Sequence, residues 1–221
     1  MLKMLREADR PALLTLLGTI LAKFAAGILG IWGATNIYFF SYLKNHGTNI
    51  TAMTNSIILL CTIIPSTISM IFATTLAKRF GYKKVIRVCG ILFALLPYTI
   101  NIHINLFVLA FCYLVVPISC LSISSIAILN CLWSHYPKHL NKVSGIAVLA
   151  YSLGSIIFNL LFVTFTNPDN QAAIIDEDKQ AYFPSSVANN IFKAANINYL
   201  IAGASFMLGS LLVSKKGINY S

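Results

Sequence analysis

The sequence predicts an all-α membrane protein of six spanning helices, and three observations carry that prediction. Of the 221 residues, 57% are hydrophobic and only 10% are charged, with a mean hydropathy of +0.78. A soluble domain places roughly a quarter of its residues in charge, so a polytopic membrane protein is the expectation. Apolar runs near 14–43, 53–77, 85–101, 106–133, 143–166 and 195–214 approach or exceed the roughly 20 helical residues that a hydrocarbon core requires. The runs are continuous rather than alternating, which excludes a β-barrel in favour of helices. Finally, the cations gather in alternate connections, as orientation signals do.

That last pattern sets the topology. Lys3, Arg6 and Arg10 precede the first span; Lys78, Arg79, Lys83, Lys84 and Arg87 surround the second connection; Lys138 and Lys142 lie in the fourth; Lys215 and Lys216 follow the sixth. The opposite side carries Lys44, Lys179 and Lys193, together with Asp169, Asp176, Glu177 and Asp178. Both termini are therefore expected in the cytoplasm, with residues 1–221 forming one transmembrane domain. The net charge of +10 reads as orientation rather than nucleic-acid binding, because no basic patch is interleaved with aromatics. The charged start MLKMLREADR precedes an apolar run too long for the h-region of a cleavable signal.

Taken in order, the spans are not uniformly apolar. In the first, Lys23, Gly27, Gly30, Ala34 and Ser41 fall on one helical stripe, and Asn36 is a further polar candidate. A charge inside a membrane marks a functional candidate. Lys23 has two readings: it faces a substrate path, or it snorkels to the nearby interface. Asn55, Thr62, Ser66, Ser69 and Ala73 share a face of the second span; Gly145, Ser152, Ser155 and Asn159 share one of the fifth. Such stripes either hold helices together or line an aqueous path. The path candidates are Lys23, Asn36, Asn55, Thr62, Ser66, Ser152, Ser155 and Asn159. Pro65, Pro97 and Pro117 lie within spans two, three and four, where each is expected to kink its helix.

The connections carry their own signals. Gly81 suits a tight turn between spans two and three. The long loop 167–194 is polar and acidic; its later part either begins a short interfacial helix capped by Ser185 or Ser186, or is a disordered external loop. Asn49-Ile50-Thr51 and Asn219-Tyr220-Ser221 match the glycosylation acceptor.

Catalytic chemistry finds no support in the residues. The five cysteines lie in spans and form no CxxC, so they read as buried and reduced. His135 and His139 have metal-ligand spacing but no carboxylate close in sequence, and no metal or other cofactor is expected. There is no serine elbow, P-loop or dinucleotide fingerprint, so an enzyme is not expected.

Thr74 to Lys84, TTLAKRFGYKK, resembles the major facilitator superfamily signature G-x-L-A-D-R-x-G-R-R/K at Leu76, Ala77, Arg79, Gly81 and Lys83. Lys78 stands where the superfamily has an acid, Thr74 where it has its leading glycine. The start GILGIWGATNIYFFSYL from Gly27, and WSHYPKHLNKVSGIAVLAYSLGSIIF from Trp133 to Phe158, resemble the oxalate/formate antiporter and monocarboxylate transporter group in its protist versions. The resemblance implies one six-helix half of a twelve-span carrier that moves a small organic anion by alternating access. Arg79, Gly81 and Lys83 would then form the cytoplasmic conformational loop, and Lys23 would contact the anion. Its partners would be the lipid bilayer and either a second copy of the chain or a C-terminal half. The alternative is a non-transporting subunit, a degenerate half-carrier that scaffolds a larger membrane assembly.

Overall fold

The structure, a computed structural model, describes residues 8–48, 51–102, 104–175 and 181–216. Among these, six helical stretches are long and apolar enough to cross a membrane, the architecture of a multi-pass membrane protein. They are Arg10–Asn45, Met53–Phe80, Tyr82–Asn101, Leu106–His135, Leu140–Thr166 and Ser185–Leu212, spans one to six. Both candidate glycosylation sites include residues outside the described set.

Span one starts where Asp9 Oδ1 accepts the Ala12 N–H at 2.9 Å, with Pro11 in the first turn. At Gly27–Ile31 it tightens to a 3-10 helix before continuing as Trp32–Asn45. Two glycines in five residues weaken the α preference. A 3-10 turn rotates the chain about 20° more per residue, so the segment adds about 100° of phase. The stripe expected from Lys23 to Ser41 is therefore broken: the segment turns Ala34 and Ser41 off the face that carries Lys23, and beyond it Ser41 is buried beneath Phe183 while Ala34 is exposed.

Spans two and three are separated by Gly81 alone, whose φ of +90° lies in the region that favours glycine. The expected tight turn is there in its shortest form. Of the three prolines, Pro65 sits inside a helix that stays α from Ala52 to Phe80. Pro97 marks a change to 3-10 helix at Leu96–Asn101, and Pro117 follows a π-helical stretch at Leu109–Val115. Pro117 cannot donate to the carbonyl of Tyr113, and the Tyr199 hydroxyl of span six donates to it instead, at 3.2 Å.

Span six begins at Ser185 rather than near 195. One turn, Ser185–Ala188, leads through Asn189 and Asn190 into Ile191–Leu212. The short helix is capped by Pro184 with no side-chain cap, so neither Ser185 nor Ser186 has the capping role expected of it. The preceding loop holds a two-stranded antiparallel hairpin, β1 (Ile174–Ile175) with β2 (Ala181–Tyr182), pairing Ile174 with Tyr182. Phe183 stacks on Tyr38 at 4.6 Å, and its N–H donates to Ser41 Oγ at 2.8 Å, which docks the hairpin on span one.

The spans pack as two interleaved sets of three. Span one packs on five and six, span four on two and three, and the pairs one–four and three–six join the sets. Exchanging spans one, two and three for four, five and six leaves this pattern unchanged. Three is odd, so spans four to six start from the opposite end of the bundle to spans one to three, as in an inverted repeat. Two crossings bring backbones together. A Cβ on Gly18 would lie 2.6 Å from Gly209 O, and one on Gly27 would lie 2.6 Å from Tyr151 O. Close approach of this kind is what small residues allow between membrane helices.

One end of the bundle gathers the basic connections. Ser214 takes a hydrogen bond from Thr15, His135 Nε2 donates to the Ser214 carbonyl at 3.0 Å, and Lys215 sits over the Tyr82 ring. The opposite end carries the hairpin and a reciprocal amide pair between Asn101 and Asn196.

Candidate functional site

Lys23 lies in the last turn of the Arg10–Ala26 helix, just before span one tightens to its 3-10 segment. It has no ion-pair partner among the described residues. Its side chain borders a cavity of about 420 Å³ between spans one, two, four and five. The walls are largely apolar: Ala26, Leu29, Met70, Leu121, Leu129, Ala147 and Val148. The polar groups are few: Lys23, Ser122 and Ser125 of span four, and Ser144 and Tyr151 of span five. At the basic end Trp133 Nε1 donates to Ser144 Oγ at 2.9 Å, joining spans four and five beside the cavity. A single cation in an apolar chamber with scattered hydroxyls can hold one negative charge and leave room for an uncharged body.

The other path candidates lie elsewhere. Asn36 Nδ2 donates to Asn55 Oδ1 at 3.1 Å, a link between spans one and two towards the hairpin end. Thr62 and Ser66 donate to Leu59 O and Ile63 O of their own helix, and Thr62 is buried. Ser152 is exposed and donates back to Val148 O at 3.2 Å. Ser155 stands against Gly30, where a Cβ would lie 2.6 Å from its Oγ. Asn159 buries its Oδ1 without a partner among the described residues. Of the eight candidates only Lys23 borders the cavity. Ser122, Ser125, Ser144 and Tyr151 were not singled out by sequence; the polar run Ser119–Ser125 in span four was the available signal.

In the turn between spans two and three, Lys83 is exposed, and the exposed Arg79 guanidinium stacks 5.4 Å from the neighbouring Phe80 ring. Gly81 supplies the positive φ that lets the two helices meet without a loop.

At the basic end, a second cavity of about 380 Å³ brings Asp9 beside His135, Tyr136 and His139. The carboxylate that sequence spacing did not place near these histidines is supplied by the start of span one. Among the described residues, however, no group of three His, Cys, Asp or Glu stands where it could hold a metal ion. Burial, and then the Asp9 carboxylate, push the Tyr136 phenol up, so it remains a hydrogen-bond donor through the physiological range. The cysteines are free thiols, with Cys89 and Cys120 side by side between spans three and four. No protein-family model, curated protein or solved structure matches the chain, so its reading rests on these residues and their arrangement.

Proposed function

We propose that the chain is a secondary transporter, or one half of one, that moves a small organic anion of the monocarboxylate type by alternating access. The observation that carries the reading is Lys23, a cation without a described partner beside a largely apolar cavity between four spans. Desolvating a charge there is costly unless an anion compensates it in use. Two features support it: the exchangeable sets of three spans, which suit rocking of one set against another, and the resemblance of Thr74–Lys84 to the carrier signature. In this reading the basic end is cytoplasmic and the cavity opens there, while Asn36 and Asn55 close the other side.

A second reading, a non-transporting subunit, draws on spans two and five. Met53, Ile71, Val148 and Leu160 are each more than 60% exposed, a surface available to a partner as well as to lipid. Uptake of a labelled monocarboxylate into vesicles containing the protein separates the two. The transporter reading expects uptake that Lys23→Ala abolishes and Lys23→Arg partly restores, with insertion intact. Uptake indifferent to Lys23→Ala sinks the binding role, and no uptake by a correctly inserted protein favours the subunit.

A further inference from the structure

Cys89 and Cys120 take no part in the Lys23 cavity. Cys89 belongs to the helix Tyr82–Leu95 of span three, and Cys120 to Val116–His135 of span four. They are 7% and 6% exposed and pack together in a cluster with Val85, closed by Val116 and Ile123. The thiols are near enough to interact directly. The other three cysteines are placed differently: Cys61 is exposed, Cys112 is half-buried, and Cys131 lies in the main core. A buried thiol by itself behaves as a small apolar group. Two in contact, on neighbouring helices that pack along their length, bring together both sulfurs that a disulfide needs.

The surroundings decide which chemistry fits the pair. Val85, Val116 and Ile123 bring neither charge nor a polar side chain. Two thiolates around a monovalent soft metal would bury a net negative charge there, and zinc needs ligands that the cluster lacks. A disulfide is neutral and suits the site. Access is from the lipid side. Cys89 lies two turns into span three, about 10 Å from its start, so a water-borne reagent meets hydrocarbon before it meets sulfur. Ile123, which packs on the thiol pair, also lines a largely apolar cavity of about 460 Å³ with Phe72 and Leu76 of span two. An apolar oxidant in that cavity stands one side chain away from the sulfurs. Spans three and four belong to the same packed set, so a bond between them stiffens that set and crosses no boundary to the other.

We propose that Cys89 and Cys120 form a dithiol site that an organic hydroperoxide oxidises to a disulfide, stapling span three to span four. One sulfur attacks a peroxide oxygen; the O–O bond breaks, and the departing alkoxide takes the thiol proton, leaving an alcohol and a sulfenic acid. The second sulfur attacks the sulfenic sulfur; the S–O bond breaks, and hydroxide leaves with the second thiol proton as water. The two sulfurs give up two electrons and the peroxide takes both. The site does not depend on transport. The test uses the full chain, one copy per nanodisc of saturated phosphatidylcholine, treated with cumene hydroperoxide, then unfolded and alkylated with N-ethylmaleimide. The intact mass should show three alkylated cysteines in place of five, and dithiothreitol added after unfolding should restore all five. Peptide mapping without reductant should join the segments that hold Cys89 and Cys120. The bond closes the loop between them, so the unfolding midpoint should rise by roughly 5 °C. Cys89→Ser and Cys120→Ser should each abolish that rise, and Cys112→Ser should leave it intact. Five alkylated cysteines after treatment, a bond through any other pair, or oxidation that ends as sulfinic or sulfonic acid on one cysteine overturns the site. A midpoint that does not move once the bond has formed overturns the staple.

Discussion

Spans one and four hold equivalent places in the two sets of three helices, and each is interrupted, but by different chemistry. Span one breaks at Gly27–Ile31 and meets its neighbours backbone to backbone, through Gly18 against Gly209 and Gly27 against Gly154. Span four breaks at Leu109–Val115 ahead of Pro117, and a side chain, Tyr199, reaches in to take the displaced carbonyl. The first device saves volume and tolerates no added atoms. The second fills volume and depends on one hydroxyl. The difference places the cation on the closely packed helix and the serines on the other, so the Lys23 cavity opens between two differently stiffened walls.

The largest expected effect breaks the first device. A Cβ on Gly154 would lie 2.9 Å from the Phe24 carbonyl carbon and closer still to its oxygen, and backbone cannot step aside as a side chain can. Gly154→Leu should cost about 3 kcal/mol, the upper range for overpacking a close contact. Ser125→Leu, on the span-four wall, faces open cavity and should stay within about 1 kcal/mol of the parent. Thermal unfolding in detergent compares the two. Equal losses would mean that the glycine crossing is no tighter than the cavity wall.

Much of this arrangement was legible in the residues, for identifiable reasons. Six apolar runs of spanning length announce six helices, and a glycine between Phe80 and Tyr82 announces a turn, because those signals are local. Lys23 stood out as a cation in an apolar run. What escaped was set by tertiary placement. The 3-10 segment turns Ala34 and Ser41 away from Lys23 by a rotation that no single residue type declares, and Ser41 is buried by Phe183 from a distant loop while Ala34 stays exposed. Span six absorbs the polar SSVANN stretch because its start packs against the Trp32–Asn45 helix of span one, with Val187 and Ala188 buried. Ser122 and Ser125 read as small residues anywhere on span four; only the fold turns them toward Lys23. Asp9 meets His135 and Tyr136 across most of the chain length.

A smaller effect sharpens the contrast between the far ends of the same two helices. Ser41 of span one and Ser134 of span four each donate to their own helix, to Ile37 O and Cys131 O, and each accepts an outside backbone N–H. Ser41 receives buried Phe183, whereas Ser134 receives exposed Lys216. Ser41→Ala strands a buried donor and should cost about 2 kcal/mol. Ser134→Ala leaves a donor that water can satisfy and should cost under about 0.5 kcal/mol. Hydrogen exchange of the Phe183 amide reports the first directly: it should accelerate in Ser41→Ala, and unchanged protection would mean that ring stacking on Tyr38, not the hydroxyl, holds the hairpin.

The smallest effect probes the second device. Tyr199→Phe keeps the ring among Phe93, Tyr113 and Phe206 and removes only the hydroxyl that serves Tyr113 O. The expected loss is about 1 kcal/mol, the net worth of one hydrogen bond, because the carbonyl keeps whatever longer-range helical partner the π turn allows. The same substitution in a Pro117→Ala background should cost less, since alanine restores the N–H that proline withholds and the carbonyl no longer needs Tyr199. A double-mutant cycle on unfolding midpoints measures that coupling. A clear coupling makes the tyrosine a repair for the proline, and so makes span four's interruption a paired feature of two helices. Additive losses would leave Tyr199 as ordinary packing, and the two walls of the cavity would then differ in composition but not in how their breaks are held.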